Sequence, residues 1–224
     1  MLGQDTDRPG DTSSSHIRRG DLTYAALPGA VLVADRFHLV ALANDMLTLA
    51  RQRAIRETQG RRGHKTDPAW AARRRLLTGH ERIGPETFAK MWNSLIDTGD
   101  AGIQILQAYV VKEELRSLLL LAGTNLQRHL IRTRLDSFYQ QAAATDASEA
   151  HRLAATIEAW WPAIEAGILT GCSNARSEGY NRLAKHQGRN AFGFRNPVNQ
   201  RRRIRWSCTR QYRRASAERS TLPA

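Results

Sequence analysis

The feature that most constrains the fold is an apolar pattern of helical period that runs from about residue 39 to residue 165. In its first part Leu39, Leu42 and Met46 recur at spacings of three and four residues, which places them on one helical face. Further segments with this spacing lie at 69–77, 85–96 and 102–121, and two more follow before residue 165. The pattern predicts that the middle of the chain is entirely helical.

A short apolar run precedes the first helix. Residues 30–34 are continuous and rich in β-branched side chains, which is typical of a strand buried on both faces. The run ends at Asp35, and ligands of open α/β sheets gather at the carboxyl ends of strands. A strand-end Asp is also a common cap for a following helix. The residues alone leave both interpretations of Asp35 open.

The last quarter of the chain begins with a different pattern. Gly167 interrupts the helical spacing, and we expect a brief extended piece at Ile168 and Leu169. A helix capped by Ser173 or Asn174 then runs to Gly188, and Pro197 starts a second helix.

The first of these helices carries Glu178, Arg182 and Lys185 on one face. A carboxylate in that setting is either a ligand for a hard metal ion beside a phosphate channel or half of a surface ion pair.

Positive charge is concentrated in this same quarter. The chain has 34 Lys and Arg residues against 21 Asp and Glu, a net charge of +13. Residues 172–224 hold 13 of the basic residues against only Glu178 and Glu218, so +11 of the charge lies there. Such a density attracts a phosphate backbone through counterion release. The competing interpretation is a solvated basic tail.

Several classes of protein are excluded. No run of about 18 apolar residues is present, which excludes a membrane-spanning helix. Cys172 and Cys208 are too few for a zinc site and suit a reducing compartment. We expect residues 1–20, which are polar and lack apolar periodicity, to be disordered or a foreign leader.

Four motifs together resemble one known family. They resemble the C-terminal half of bacterial insertion-sequence transposases of the ISL3 family, which are DDE transposases with an RNase-H-like core. The resemblance covers about residues 24–206 and rests on the runs at 28–39, 112–116, 173–182 and 191–196, the last followed by 203–205.

The resemblance implies a mostly α protein: a remnant of an RNase-H-like α/β core, with one strand and the catalytic helix, interrupted by a large all-helical insertion. The implied divisions are a leader at 1–20, a partial core strand at 21–38, the helical insertion at 39–165, the catalytic and basic helices at 166–206, and a basic tail at 207–224.

The resemblance also implies a chemistry. In this family three acidic residues hold two Mg²⁺ or Mn²⁺ ions for cleavage and strand transfer at DNA phosphodiesters. Glu178 corresponds to the third acidic residue, and either Asp35 or Asp21 to the second. The first would lie upstream of the matched region, so we expect an N-terminally truncated transposase that is inactive alone.

The expected partner is DNA at insertion-sequence terminal repeats, with self-association of the chain and no membrane contact, in the bacterial cytoplasm at the nucleoid. The alternative is a non-catalytic, basic DNA-binding remnant. For Trp160, Trp161 and Trp206 we expect core packing, and for His38 packing or hydrogen bonding in preference to metal ligation. The expected DNA-binding residues are Arg176, Arg182, Lys185, Arg195, Arg201, Arg202, Arg203 and Arg205.

Overall fold

The computed structural model describes residues 31–124 and 127–220, without the side chains of Arg176 and of residues 211–220. The leader expected at 1–20 and the candidate ligand Asp21 lie outside these ranges. The chain divides into two compact units, one ending at Cys172 and the other beginning at Ser173. The described residues are mostly helical and contain no strand, which confirms the mostly α prediction.

The first unit is helical over the segments that the apolar spacing predicts. Ile168 and Leu169 are also helical, so the extended piece expected there is wrong. Gly167 keeps helical geometry, and the left-handed residue that ends the helix is Gly171, with φ of 65°. The described helices are α1 (Arg36–Gln59), α2 (Pro68–Ala71), α3 (Arg73–Leu76), a 3-10 turn (His80–Arg82), α4 (Pro85–Ile96), α5 (Asp100–Leu119), α6 (Arg128–Ala143), α7 (Ser148–Ala159) and α8 (Trp161–Thr170).

The core of this unit lies around α5. Helix α5 packs against α1, α4 and α6, and α1 also packs against α7. Trp160 and Trp161 are partly buried against this core, so their expected packing role is confirmed. Side chains that are almost fully buried come from every major helix and include Leu47, Ile55, Leu95, Ile105, Leu115, Phe138 and Ile157.

A partly buried ion pair, between Arg53 and Glu149, joins three of these helices. Arg53 on α1 donates from Nε to Oε1 of Glu149 on α7 at 2.9 Å and from Nη1 to Gln104 on α5 at 3.2 Å. Burial acts to raise the pKa of Glu149, but the hydrogen bonds from Arg53 and from the backbone, together with the charges of Arg53 and Arg152, outweigh it, and this pKa lies below its usual value. The pair therefore fixes α7 against α1 with a defined register.

The apolar run before α1 does not form the predicted strand in its described part. Val31 is 71% exposed, so burial on both faces is wrong at this position. The backbone N–H of Ala34 donates to the carbonyl of Ala163 in α8 at 3.0 Å, and the described residues offer no neighbouring strand. The carbonyl oxygen of Ala34 lies 3.0 Å from the point where a Cβ on Gly167 would sit, so a glycine there permits this close approach.

A buried lysine closes the end of α3. Lys112 on α5 is fully buried, and its Nζ donates to the carbonyls of Leu76 at 2.6 Å and Thr78 at 3.1 Å. The same Nζ lies 2.6 Å from Oε1 of Glu113 and 4.4 Å from the ring centroid of Tyr109. Burial lowers the pKa of Lys112, and Glu113 opposes this change. The ammonium group thus satisfies carbonyls that a helix end leaves without partners.

The second unit is a pair of packed helices, α9 (Ala175–Asn190) and α10 (Pro197–Ser220). Gln187 on α9 donates from Nε2 to the hydroxyl of Ser207 on α10 at 3.2 Å. The predicted start at Pro197 is confirmed. The predicted end at Gly188 is wrong by two residues, because the positive φ angles fall later, at Phe192 (50°) and Gly193 (91°). Within the described ranges, no helix is both long and apolar enough to cross a membrane.

The role of Lys112 can be tested by replacing it. Lys112→Met leaves the two carbonyls unpaired and removes the nearest cation from Glu113. We expect a loss of about 3–5 kcal/mol in the free energy of unfolding, the usual cost of removing one partner of a buried pair. Urea denaturation followed by tryptophan fluorescence measures it. The control is Lys90→Met, at an exposed position of α4, which we expect to change stability by less than about 0.5 kcal/mol. Equal losses in the two variants would contradict this role.

Candidate metal centre and nucleic-acid surface

Asp35 lies where the segment at 31–34 turns into α1. It is the N-cap of that helix, and its Oδ1 accepts a hydrogen bond from the backbone N–H of Phe37 at 3.2 Å. The hydrogen bond between Ala34 and Ala163 holds the preceding residue against α8. The cap interpretation of Asp35 is therefore confirmed. The cap bond engages one of the two carboxylate oxygens, Oδ1.

His38 lies beside Asp35, one helical turn along α1. A ring nitrogen of His38 and a carboxylate oxygen of Asp35 are within 4.8 Å of each other. Asp35 is half-buried and His38 is exposed, and the His38 ring meets Phe37 edge to face at 5.9 Å between centroids. The N-cap position and the first turn of a helix bring i and i+3 side chains together. The sequence contains this pairing as Asp-x-x-His, although the expected role of His38 was packing or hydrogen bonding rather than metal ligation.

A carboxylate and an imidazole at this spacing could provide two ligands to a metal ion. Carboxylate oxygen suits Mg²⁺ and Mn²⁺, whereas imidazole favours later transition metals. Two side chains cannot enclose an ion, so a complete site requires further ligands. With further ligands, Asp35 and His38 could hold a divalent cation at the N-terminus of α1.

Glu178 belongs to the second unit. It lies in the first turn of α9 and is half-buried, and its backbone N–H donates to the carbonyl of Asn174 at 2.9 Å. Asn174 occupies the predicted N-cap position, but its side chain makes no capping bond. A carboxylate in the first turn is favoured by the positive end of the helix dipole. Arg182 and Lys185 follow on α9 and are both exposed.

The other candidate DNA-binding residues of this unit face solvent. Arg176 cannot be placed because its side chain lies outside the described part of the chain. No carboxylate in the described ranges pairs with any of the others, and their charges are therefore uncompensated. The exposed set on α10 and the preceding loop is Arg195, Arg201, Arg202, Arg203 and Arg205.

Trp206 extends this surface. Its side chain is 66% exposed, so the core packing expected for it is wrong. The guanidinium carbon of Arg210 lies 5.3 Å from the centre of its ring. The indole is on the polar side of a helix whose neighbours are charged, which explains why it does not join a core. An exposed aromatic ring among arginines is typical of surfaces that bind single-stranded nucleic acid.

Comparisons with known proteins agree with the motifs. A family model described as Transposase, of the ISL3 group with a DDE motif, matches residues 20–204. Two curated relatives are each named transposase for insertion sequence element IS1557, from the CDC 1551 / Oshkosh and ATCC 25618 / H37Rv strains of Mycobacterium tuberculosis. Each is 27% identical over 195 residues, which cover 79% of this chain and 42% of the relative.

The chain therefore spans less than half the length of these relatives. No solved structure shows significant similarity to it. The family match nevertheless extends over most of the chain, from before Asp35 to beyond Glu178, and it includes Arg201, Arg202 and Arg203 of α10. On this evidence the chain belongs to the ISL3 family of transposases.

Proposed function

We propose that this chain carries part of the catalytic core of a metal-dependent DNA transposase, and that Asp35 and Glu178 each supply a carboxylate ligand to a divalent cation. The family match over residues 20–204 is the observation that carries the proposal. Both carboxylates belong to motifs that resemble the family. Asp21, the alternative to Asp35, stays open because it lies outside the described residues.

The surroundings of Asp35 hold its carboxylate in a defined position. The N-cap bond to Phe37 restrains the carboxylate, and the contact between Ala34 and α8 restrains the chain before it. A ligand held in this way needs little reordering when a cation binds. His38 lies close enough to orient the same carboxylate or to share its ligand.

In this proposal the carboxylates and the basic residues have different roles. Asp35 and Glu178 neutralise and position the cation, which when bound supplies activation of the attacking oxygen and stabilisation of the leaving oxygen. Arg182 and Lys185, exposed on the helix of Glu178, bind the phosphates that flank the reacting bond. The arginines of α10 hold the duplex beyond that point without reading its sequence.

The ligand assignment is tested by metal binding, which does not require catalytic activity. We expect Asp35→Asn and Glu178→Gln each to weaken Mn²⁺ binding, measured by electron paramagnetic resonance, by roughly 10–100-fold or more, since even loss of an outer-shell partner costs that much.

The matched controls are Asp45→Asn, at an exposed position of α1, and Glu86→Gln, in the first turn of α4 and also exposed. Equal Mn²⁺ affinities in a ligand variant and its control would refute the assignment. Nicking of supercoiled DNA, where present, should disappear in Glu178→Gln and persist in Glu86→Gln.

A second function, DNA binding without catalysis, is favoured by the uncompensated charge of α10. It requires no metal and predicts that binding persists in a chelator. A plot of log affinity for a duplex against log salt concentration has a slope of about −0.9 per phosphate contact. The slope therefore gives the number of phosphate contacts.

We expect replacement of Arg201, Arg202, Arg203 and Arg205 by Gln to reduce this slope by about 0.9 for each contact removed. Fluorescence anisotropy of a labelled duplex over a salt series measures it. The control removes equal charge from exposed positions of the first unit, Arg128, Arg132, Arg134 and Arg152. If the salt slope decreases equally in both quadruple variants, binding depends only on net charge and α10 has no specific role in it.

A further inference from the structure

The first unit contains a small pocket whose lining is unusually basic. Its volume is about 220 Å³, below the roughly 300–1,000 Å³ of sites that hold drug-sized ligands, so it suits a group of only a few atoms. Helix α1 forms one side and α3 the other. The lining residues are Leu47, Thr48, Arg51, Arg73, Arg74, Leu76 and Leu77.

Three arginines, Arg51, Arg73 and Arg74, line this pocket. Within the described ranges no carboxylate forms an ion pair with any of them, although the unit contains many acidic residues. Burial lowers the pKa of Arg51, and the positive charge of Arg73 lowers it further. Arg51 and Arg73 therefore repel each other, and a bound anion would relieve that repulsion.

The sequence around the pocket explains why no internal anion is available. Residues 51–76 contain nine Arg and Lys residues against only Glu57 and Asp67. Both acids are already paired elsewhere, Glu57 with Arg53 at 2.8 Å and Asp67 with Arg61 at 2.9 Å. The small net charge of residues 1–171, +2, conceals this local excess.

One of the three lining arginines, Arg73, is held in place by its contacts with Trp70. The guanidinium carbon of Arg73 lies 3.3 Å from the centre of the Trp70 ring, and its Nη1 donates to the carbonyl of Trp70 at 2.9 Å. Leu47 and Leu76, each 1% exposed, supply apolar walls. Low-dielectric walls concentrate the field of the cations, and guanidinium forks match the geometry of phosphate oxygens.

We propose that this pocket binds a phosphate group, and that its occupant is a backbone phosphate of DNA. The helical first unit would then contact the nucleic acid at a point separate from α10 and from the carboxylates. Only the identity of the occupant rests on the proposed function, because the affinity for phosphate follows from the pocket itself.

The test compares two double variants that remove the same charge from the same two helices. Arg51→Gln with Arg74→Gln empties the pocket of two cations and leaves Arg73 stacked on Trp70. Arg56→Gln with Arg75→Gln removes two exposed arginines, one on α1 and one on α3, that do not line the pocket. Melting in phosphate-free buffer checks that each variant is folded as the parent chain is.

The first measurement uses inorganic phosphate on the full chain, in chelator and at matched ionic strength. We expect phosphate to raise the Tm of the parent and of the control variant, and to leave the pocket variant unchanged. Equal Tm increases in all three proteins would overturn the phosphate site.

The second measurement is the salt dependence of duplex DNA binding, again in chelator. Loss of one phosphate contact reduces the logarithmic slope by about 0.9, so between 50 and 200 mM salt the pocket variant should lose about 3.5-fold less affinity than the parent. The control should retain the parent slope. The pocket variant could instead show the same salt slope as the control while failing to bind inorganic phosphate. That result would overturn DNA as the occupant and assign the pocket to a free phosphate. Neither measurement depends on divalent cations. Both can therefore be interpreted even if Asp35 and Glu178 are shown not to bind a metal.

Discussion

Helix α5 sets the constraint on which the first unit depends. It is apolar around most of its circumference, with Ala101, Ile105, Val111, Leu115 and Leu118 among its buried residues, so it must be covered on several sides. Helices α1, α4 and α6 provide that cover. Burial of each large aliphatic side chain contributes about 1.5–3 kcal/mol, and most of those in α5 are nearly inaccessible. The remaining helices and the segment before Asp35 are arranged on this assembly.

The sequence predicts the helices well because their signals are local. The spacing of Leu39 and Met46, and the prolines at positions 85 and 197, specify helices within a few residues of the observed bounds. The run at 30–34 reads as a strand, but a strand depends on a partner, and in the described residues Ala34 bonds a helix end instead. The burial of Lys112 and the pocket of Arg51 depend on which helices meet, and a local pattern does not contain that information.

For the candidate site too, the sequence predicts some features, and others depend on how the chain folds. Residue type and motif make Asp35 and Glu178 candidate site residues, and their proposed roles come from the resemblance to a family, because spacing alone does not provide them. The proximity of His38 to Asp35 depends on Asp35 being a cap, which places the two side chains one turn apart. The exposure of Trp206 follows from the polar composition of α10, where few apolar neighbours are available to cover an indole.

The burial of Lys112 gives the chain an internal chemical reporter. The sequence contains only four lysines, and the other three, Lys65, Lys90 and Lys185, are exposed. An amine-selective reagent can reach those three in the folded protein, whereas Lys112 reacts only when α5 separates from the end of α3 and its amino group loses its proton. The rate at which Lys112 itself is acylated, followed by mass spectrometry of the peptide that contains it, therefore measures local opening at the centre of the first unit. A chain with this composition reports the opening of its own core without any engineered label.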